Sequence, residues 1–273
     1  MPHRARGHML VCGPFPLPAM HVDLELPLGR STAQQRLRAQ GFCVMIPSAM
    51  SRLTGQSIEA FEQLRPYWND LPPDRHLKDG GHYRYRRHDC FVLNVEPQFL
   101  ERVPHRPHWQ PTTYNALHGG MERWFEPLDS MMPLEPAWNP LLTELGALFA
   151  KVRAPEDGRW YIEAHPFRID TSDGVGRPTP EGAHRDGVDF VAVVFVGRRG
   201  VRGGETRVFE FDGPKGVRFT LEEPWTTLLL DDQAVVHEST PIQPLHPEDP
   251  IHRGHRDTLV LTYRSGGFQA PPP

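Results

Sequence analysis

The chain has little cysteine, no long apolar run and no excess of positive charge. Its 273 residues include only Cys12, Cys43 and Cys90, too few and too widely spaced for a disulfide framework or a zinc knuckle. Thirty Lys and Arg against 34 Asp and Glu give a net charge of −4, which argues against nucleic acid and anionic membranes as partners. The apolar runs are too short to span a membrane. These absences predict a cytoplasmic enzyme or binding domain that acts on a small molecule.

Proline and glycine are abundant, at 30 and 24 residues, which favours a turn-rich β fold over a helix bundle. Residues 1–20 are mildly apolar, but three prolines interrupt any signal-peptide helix. We interpret this stretch as a flexible leader. Residues 21–273 are then a single domain, with helical and loop-rich support and a lid at 21–158 and core strands at 159–268.

The order of predicted elements supports that division. A helix is expected from Ser31 to about Gln40, followed by a buried strand at 42–46, and Asn139-Pro140 marks the start of an amphipathic helix. From Trp160 onward, short strands alternate with tight turns. The fold class expected is α+β, mainly β, with a double-stranded β-helix core of the jelly-roll or cupin-like type and supporting N-terminal helices.

The segment His184-Arg185-Asp186 precedes a strongly apolar run at 190–196. On an extended strand, residues two apart point to the same side. With a third ligand, the two side chains would form the two-histidine, one-carboxylate triad that suits Fe(II) and leaves positions open for other ligands. The sequence holds a second such tripeptide, His21-Val22-Asp23, which we interpret as solvated surface because no buried strand follows it.

His237 is the predicted third ligand because it emerges from an apolar strand, after Val235 and Val236. Histidines 246, 252 and 255 lie in a proline- and charge-rich loop at 243–255, a poor place for a rigid ligand. The alternative for His237 is an interior histidine with a structural role.

Arg256 and Thr258 open the last predicted strand, where their side chains share one face. A guanidinium there can hold a carboxylate bidentately while the hydroxyl adds a hydrogen bond. Arg253 and Arg264 are alternatives for this role. Arg84 and Arg86 also share a face of a short strand, either as a solvated basic edge or as a fork for an anion.

Several motifs together make the chain resemble the 2-oxoglutarate- and Fe(II)-dependent dioxygenases, in the bacterial branch of free-amino-acid hydroxylases that includes isoleucine 4-dioxygenase. The matching segments lie within residues 35–268 and include 78–81 (KDGG), 83–87 (YRYRR), 180–187 (PEGAHRDG), 203–206 (GGET), 237–242 (HESTPI) and 256–259 (RDTL). The chain departs from the pattern in its leader and in the long 243–255 loop.

The resemblance implies Fe(II) bound by His184, Asp186 and His237, with 2-oxoglutarate held at its far carboxylate by Arg256 and assisted by Thr258. It implies O2-dependent hydroxylation of a free L-amino acid, with release of succinate and CO2. The substrate would need a carboxylate partner and an ammonium partner. Arg84, Arg86 or Arg168 are candidates for the first role, and Glu163 or Asp189 for the second.

Two other functions are compatible with a jelly roll. One is a metalloenzyme that does not use 2-oxoglutarate, such as an isomerase or hydrolase using zinc or manganese, which gives Arg256 and Thr258 no role. The other is a non-catalytic ligand-binding jelly roll that has lost its metal, which predicts an incomplete triad.

Overall fold

The computed structural model describes residues 22, 29–115, 117–248 and 254–272, so the predicted leader at 1–20 lies outside the described residues. In this part the chain forms four α-helices, two 3-10 turns and thirteen strands. The helices are α1 (Arg30–Gln40), α2 (Pro47–Thr54), α3 (Ile58–Glu62) and α4 (Trp138–Val152), and the 3-10 turns are Arg65–Trp68 and Met132–Leu134. The strands are β1 (Phe42–Met45), β2 (Arg84–Arg86), β3 (Asp89–Asn94), β4 (Phe99–Arg102), β5 (Arg159–Asp170), β6 (Phe190–Arg199), β7 (Val201–Gly203), β8 (Thr206–Glu210), β9 (Gly216–Phe219), β10 (Thr227–Asp231), β11 (Val235–Ser239), β12 (Ile242–Pro244) and β13 (His255–Arg264).

The strands pair antiparallel in one large sheet and two small ones. The large sheet has the order β1-β10-β6-β13-β5-β3-β4, with β2 also paired to β5, and the small sheets are β11-β8-β9 and β12-β7. Apolar side chains of the large sheet, including Phe195 and Leu228, pack against Val208, Val217 and Phe219 of the facing small sheet. The fold is mainly β with a jelly-roll core, as predicted.

The helices cover the other face of the large sheet. Phe149 of α4 stacks on Phe190 of β6 with ring centroids 4.6 Å apart, and the Trp160 indole donates to the Gly146 carbonyl at 3.0 Å. A Cβ on Gly146 would lie 2.3 Å from Leu93, so α4 can approach the sheet this closely only with glycine there. No helix in the described ranges has both the length and the apolarity to cross a membrane.

Most predicted elements are present, with shifted ends. The first helix begins at Arg30, one residue before the predicted start, and ends at Gln40 as predicted, followed by Gly41 in the left-handed conformation. Strands β1 to β4 precede residue 159 and join the large sheet. The predicted loop at 243–255 includes the end of β12 and the first residue of β13, and its residues 249–253 lie outside the described part.

Candidate functional site

His184 and Asp186 lie in a bend before β6, not on the strand itself, which starts at Phe190. An isolated bridge pins the bend to β11, because the backbone N–H groups of His184 and His237 each donate to the other's carbonyl at 3.0 Å. The prediction that His184 and Asp186 converge because they alternate along a strand is therefore wrong in its reason. The two side chains nevertheless converge, because the bridge sets their position.

Asp232 holds the rest of this bend. Its carboxylate accepts backbone N–H bonds from Asp186, Gly187 and Val188 at 2.9, 2.8 and 3.1 Å. Gly187 has φ +77°, and a Cβ there would lie 2.4 Å from the Tyr114 ring. The turn after Asp186 is thus fixed by the buried Asp232 carboxylate and by a backbone conformation at residue 187 that requires glycine.

The side chains of His184, Asp186 and His237 surround one point. The two Nε2 atoms lie 3.8 and 3.9 Å from the two Asp186 oxygens, too far for hydrogen bonds. His184 Nδ1 donates to the Gly182 carbonyl at 2.9 Å, so the lone pair of its Nε2 faces the centre. These separations and this donor set fit a single divalent ion with open positions.

The protonation of the two histidines differs. Burial lowers the pKa of His237 well below its ordinary value, and His184 adds to the effect. Burial also opposes protonation of His184, but the Asp186 and Glu181 carboxylates raise its pKa overall. A divalent ion bound by these donors would replace the proton that the two carboxylates favour on His184.

Arg256 and Thr258 lie on β13 and face the same cavity as the three donors. The Arg256 side chain is buried, and its Nε and Nη2 atoms have no hydrogen-bond partner among the described residues. Burial lowers its pKa to about 10, and Arg198 lowers it further while Asp257 partly offsets this. A buried cation with unpaired donors is expected to be matched by an anionic ligand.

The cavity has a volume of about 130 Å³. Besides the three metal donors, Arg256 and Thr258, the cavity walls carry four other charged side chains: Arg84, Arg86, Arg123 and Glu181. Arg84 pairs with the buried Asp74 at 2.7 Å. The Arg86 guanidinium lies between two aromatic rings, 3.9 Å from the Phe125 centroid and 4.2 Å from that of Phe167.

Two candidate substrate ligands, Arg168 and Asp189, and both alternatives to Arg256 lie away from this cavity or outside the described part. Arg168 forms a bidentate pair with Asp257, at 2.8 and 2.7 Å. Asp189 accepts from Ser265 N at 2.8 Å and lies 3.4 Å from Arg153. Of the alternatives to Arg256, Arg264 donates to the Gly267 carbonyl and does not line the cavity, while Arg253 is outside the described residues.

A second group of potential metal ligands lies beside the cavity: His88, His108, Glu163 and His165, all buried. Glu163 accepts from His108 Nδ1 at 2.8 Å, and His165 Nε2 lies 3.7 Å from the same oxygen. Arg86 Nη2 lies 2.5 Å from His165 Nδ1. Because arginine can only donate, His165 Nδ1 accepts and the His165 proton is on Nε2, which leaves neither ring nitrogen with a free lone pair for a metal. We therefore interpret this group as a hydrogen-bonded network.

The network predicts a pH-dependent stability. Burial lowers the pKa of His108 to about 4, outweighing the opposing effect of Glu163. Below its unfolded pKa of 6.5, His108 takes up a proton on unfolding, so the unfolding free energy should fall from pH 6.5 towards pH 4. Urea unfolding at pH 7 and pH 5 measures this. His108→Gln should reduce the difference, whereas His246→Gln, at an exposed position, should not. Equal pH dependence in wild type and His108→Gln would contradict the prediction.

Four side chains of the site escaped prediction from sequence: Gln110, Arg123, Glu181 and Asp232. Glu181 lies three residues before His184, and Asp232 lies five residues before His237, so proximity in sequence was an available signal. Gln110 contacts Asp186 across 76 positions. No local pattern marks such a pairing.

Comparison with known proteins agrees with this geometry. A family model described as 2OG-Fe dioxygenase matches residues 65–262. No curated protein matches the chain. Among solved structures, a bsmA homolog from Methylobium petroleophilum PM1 is 72% identical, with 93% of this chain and 100% of that chain covered and a TM-score of 0.88.

Two more distant structures share the fold. IDO from Bacillus thuringiensis has a TM-score of 0.71 at 16% identity, covering 87% of this chain and 100% of that one. The Fe(II)/(alpha)ketoglutarate-dependent dioxygenase TqaL has a TM-score of 0.66 at 19% identity, covering 89% and 91%. The family model spans more than half of the chain, and the family uses Fe(II), 2-oxoglutarate and O2. The chain therefore belongs to the 2OG-Fe dioxygenase family.

Proposed function

We propose that the protein hydroxylates a free L-amino acid in an Fe(II)- and 2-oxoglutarate-dependent reaction. His184, Asp186 and His237 bind the iron, and Arg256 binds the far carboxylate of 2-oxoglutarate with Thr258 beside it. The observation that carries the proposal is that three inward-facing metal donors line one cavity with a buried arginine whose Nε and Nη2 have no partner among the described residues.

Each part of the chain has a distinct task in this reaction. Bound iron and 2-oxoglutarate supply the oxidising chemistry, in which the keto acid loses CO2 and takes up one atom of O2 to become succinate, while the other oxygen atom enters a C–H bond of the substrate. The bridge between residues 184 and 237 and the Asp232 contacts hold the metal donors in place. Arg256 fixes the position of 2-oxoglutarate by binding its far carboxylate, and the buried walls exclude water from the reacting groups.

The remaining walls fit a small polar substrate. Arg84 Nη2 and Arg86 Nε are buried without hydrogen-bond partners among the described residues, and both arginines line the cavity. Glu163 lies in the adjoining histidine group and does not line the cavity. Glu181 does line it, and its Oε2 is buried without a hydrogen-bond partner among the described residues. Groups of both signs favour a substrate that carries both charges, such as an amino acid, over a purely apolar one.

A screen of the twenty proteinogenic L-amino acids tests this function. The protein is loaded with Fe(II) and 2-oxoglutarate under nitrogen, mixed with each amino acid, and exposed to air. Mass spectrometry should find at least one amino acid that gains a single oxygen atom, with succinate formed in equal amount. Succinate formation that no amino acid increases, with no oxygenated product, would contradict an amino-acid substrate.

A further inference from the structure

Arg123 is a cavity-lining arginine that lacks an acidic partner. Its side chain is buried, and its Nε has no hydrogen-bond partner among the described residues. Nη2 donates to Gln110 Oε1 at 2.8 Å, and no carboxylate of the described chain lies within ion-pair distance. By contrast, Arg84 is neutralised by Asp74, and Arg256 is reserved for 2-oxoglutarate in the proposed function. The Arg86 guanidinium is held between the Phe125 and Phe167 rings and contacts His165 Nδ1. Arg123 is thus a free cation on the substrate side.

Glu181 is the corresponding free anion. It lies in the bend three residues before His184, and its Oε2 is buried without a hydrogen-bond partner in the described part of the chain. Its other oxygen lies 3.6 Å from His184 Nε2. No lysine or arginine of the described residues pairs with it. Charged groups are rarely buried unless they are paired, so a ligand cation is expected at this carboxylate.

Arg123 and Glu181 line the same cavity, yet they do not pair with each other. Burial lowers the pKa of Arg123 to about 10 and the charge of Arg84 adds to this, while the Asp74, Glu163 and Glu181 carboxylates partly offset it. Two opposite charges that line one cavity without pairing match the two charged groups on the α-carbon of an amino acid.

Gln110 ties this pair to the metal donors. Arg123 and Asn115 both donate to Gln110 Oε1, at 2.8 and 3.2 Å. The amide must therefore present its N–H2 to Asp186, and Nε2 donates to Asp186 Oδ1 at 3.3 Å. A carboxylate bound by Arg123 is thus one side chain away from a metal ligand. This places the substrate's own side chain within reach of the reacting centre.

We infer that Arg123 binds the α-carboxylate of the substrate and that Glu181 binds its α-ammonium group, which restricts the enzyme to free α-amino acids. This inference rests on the proposed function for the identity of the metal and 2-oxoglutarate sites. It excludes peptides, esters and N-acylated amino acids, because in none of them does one α-carbon carry both charges.

Calorimetric binding to the Fe(II)- and 2-oxoglutarate-loaded protein under nitrogen tests the inference without turnover. The twenty L-amino acids are titrated first, and the tightest binder is then compared with its methyl ester and its N-acetyl derivative. Each derivative should bind about 10- to 100-fold more weakly, the usual effect of losing a hydrogen-bonded charge. Equal binding of the amino acid and both derivatives by the wild-type protein would overturn the inference, and this comparison needs no variant.

Variants assign each charge to its residue. Arg123→Gln should weaken binding of the amino acid about 10- to 100-fold while changing binding of the methyl ester little. Glu181→Gln should weaken binding of the amino acid by a similar factor while changing binding of the N-acetyl derivative little. Arg207→Gln and Glu205→Gln alter a partly exposed ion pair outside the cavity and should leave all affinities unchanged. Equal losses for the amino acid and the ester in Arg123→Gln would overturn the assignment.

Succinate formation by the wild-type enzyme distinguishes a failure of the Arg123 and Glu181 inference from a failure of the proposed dioxygenase function. Slow succinate formation from 2-oxoglutarate alone, together with indifference to the substrate's charges, would overturn the inference and leave the dioxygenase chemistry in place. A strong preference for the free amino acid without any succinate formation would support the binding pair and contradict the proposed reaction.

Discussion

Replacing Asp186 by alanine is expected to abolish both iron binding and succinate formation. Asp186 supplies the only carboxylate among the three donors, and the Nε2 atoms of both histidines lie within 4 Å of its oxygens. Changes in the outer shell of metal sites already reduce affinity or activity by about 10- to 100-fold, so loss of a ligand should exceed about 100-fold. His184→Ala is expected to behave alike. Iron binding is measured by competition with a chelating dye, and succinate by chromatography.

The fold should survive this change, which makes the result interpretable. The backbone of residues 186–188 is held by Asp232 and not by the Asp186 side chain. Asp23→Ala provides the matched control, because it removes the acid of the histidine-x-aspartate tripeptide at 21–23. That variant should retain wild-type iron binding. If Asp186→Ala bound iron and formed succinate at the wild-type rate, the metal centre would have to be assigned elsewhere, with the Glu163 group as the next candidate.

The type of fold and the identity of the metal-binding groups could be predicted from the sequence, whereas the geometry of these groups could not. Short apolar runs separated by turn residues predicted the jelly roll, because each strand buried between two facing sheets has an apolar pattern that is visible in the local sequence. The pair at 184 and 186 was found by its residue types, although the strand assumed to orient it begins later, at Phe190. The orientation comes instead from the bridge to His237 and from Asp232, contacts that span about 50 residues.

The substrate side of the cavity was the least predictable part. Alternation along β2 led to Arg84 and Arg86, and both line the cavity. Arg123 comes from an irregular segment with no periodicity, so only its missing partner in three dimensions distinguishes it. Arg168 had an equal claim from the sequence alone, but Asp257 satisfies its guanidinium. Whether an arginine is free to bind a ligand depends on its neighbours in space, which no local pattern encodes.

The second large effect is expected at Arg256. Arg256→Met should weaken 2-oxoglutarate binding about 100-fold, because removing one partner of a buried, hydrogen-bonded charge pair typically costs 2–5 kcal/mol, or about 30- to 5,000-fold. The loss should be confined to the far carboxylate. 2-Oxopentanoate, which lacks that group, should bind wild type and variant alike, so the variant loses discrimination between the two keto acids. Calorimetric titration of both acids measures it.

The stability of the ligand-free protein distinguishes this role from a structural one. Without 2-oxoglutarate, Arg256 is a buried cation with unsatisfied N–H groups on Nε and Nη2, and replacing such a group by an apolar side chain of similar length is often neutral or stabilising. Arg256→Met should therefore unfold in urea at the same or a higher concentration than wild type, even though it binds the co-substrate poorly. Arg264→Met, eight residues along the same strand and outside the cavity, should leave 2-oxoglutarate binding unchanged. Lower stability combined with normal 2-oxoglutarate affinity in Arg256→Met would mean that the arginine supports the fold and that the co-substrate is held by another residue.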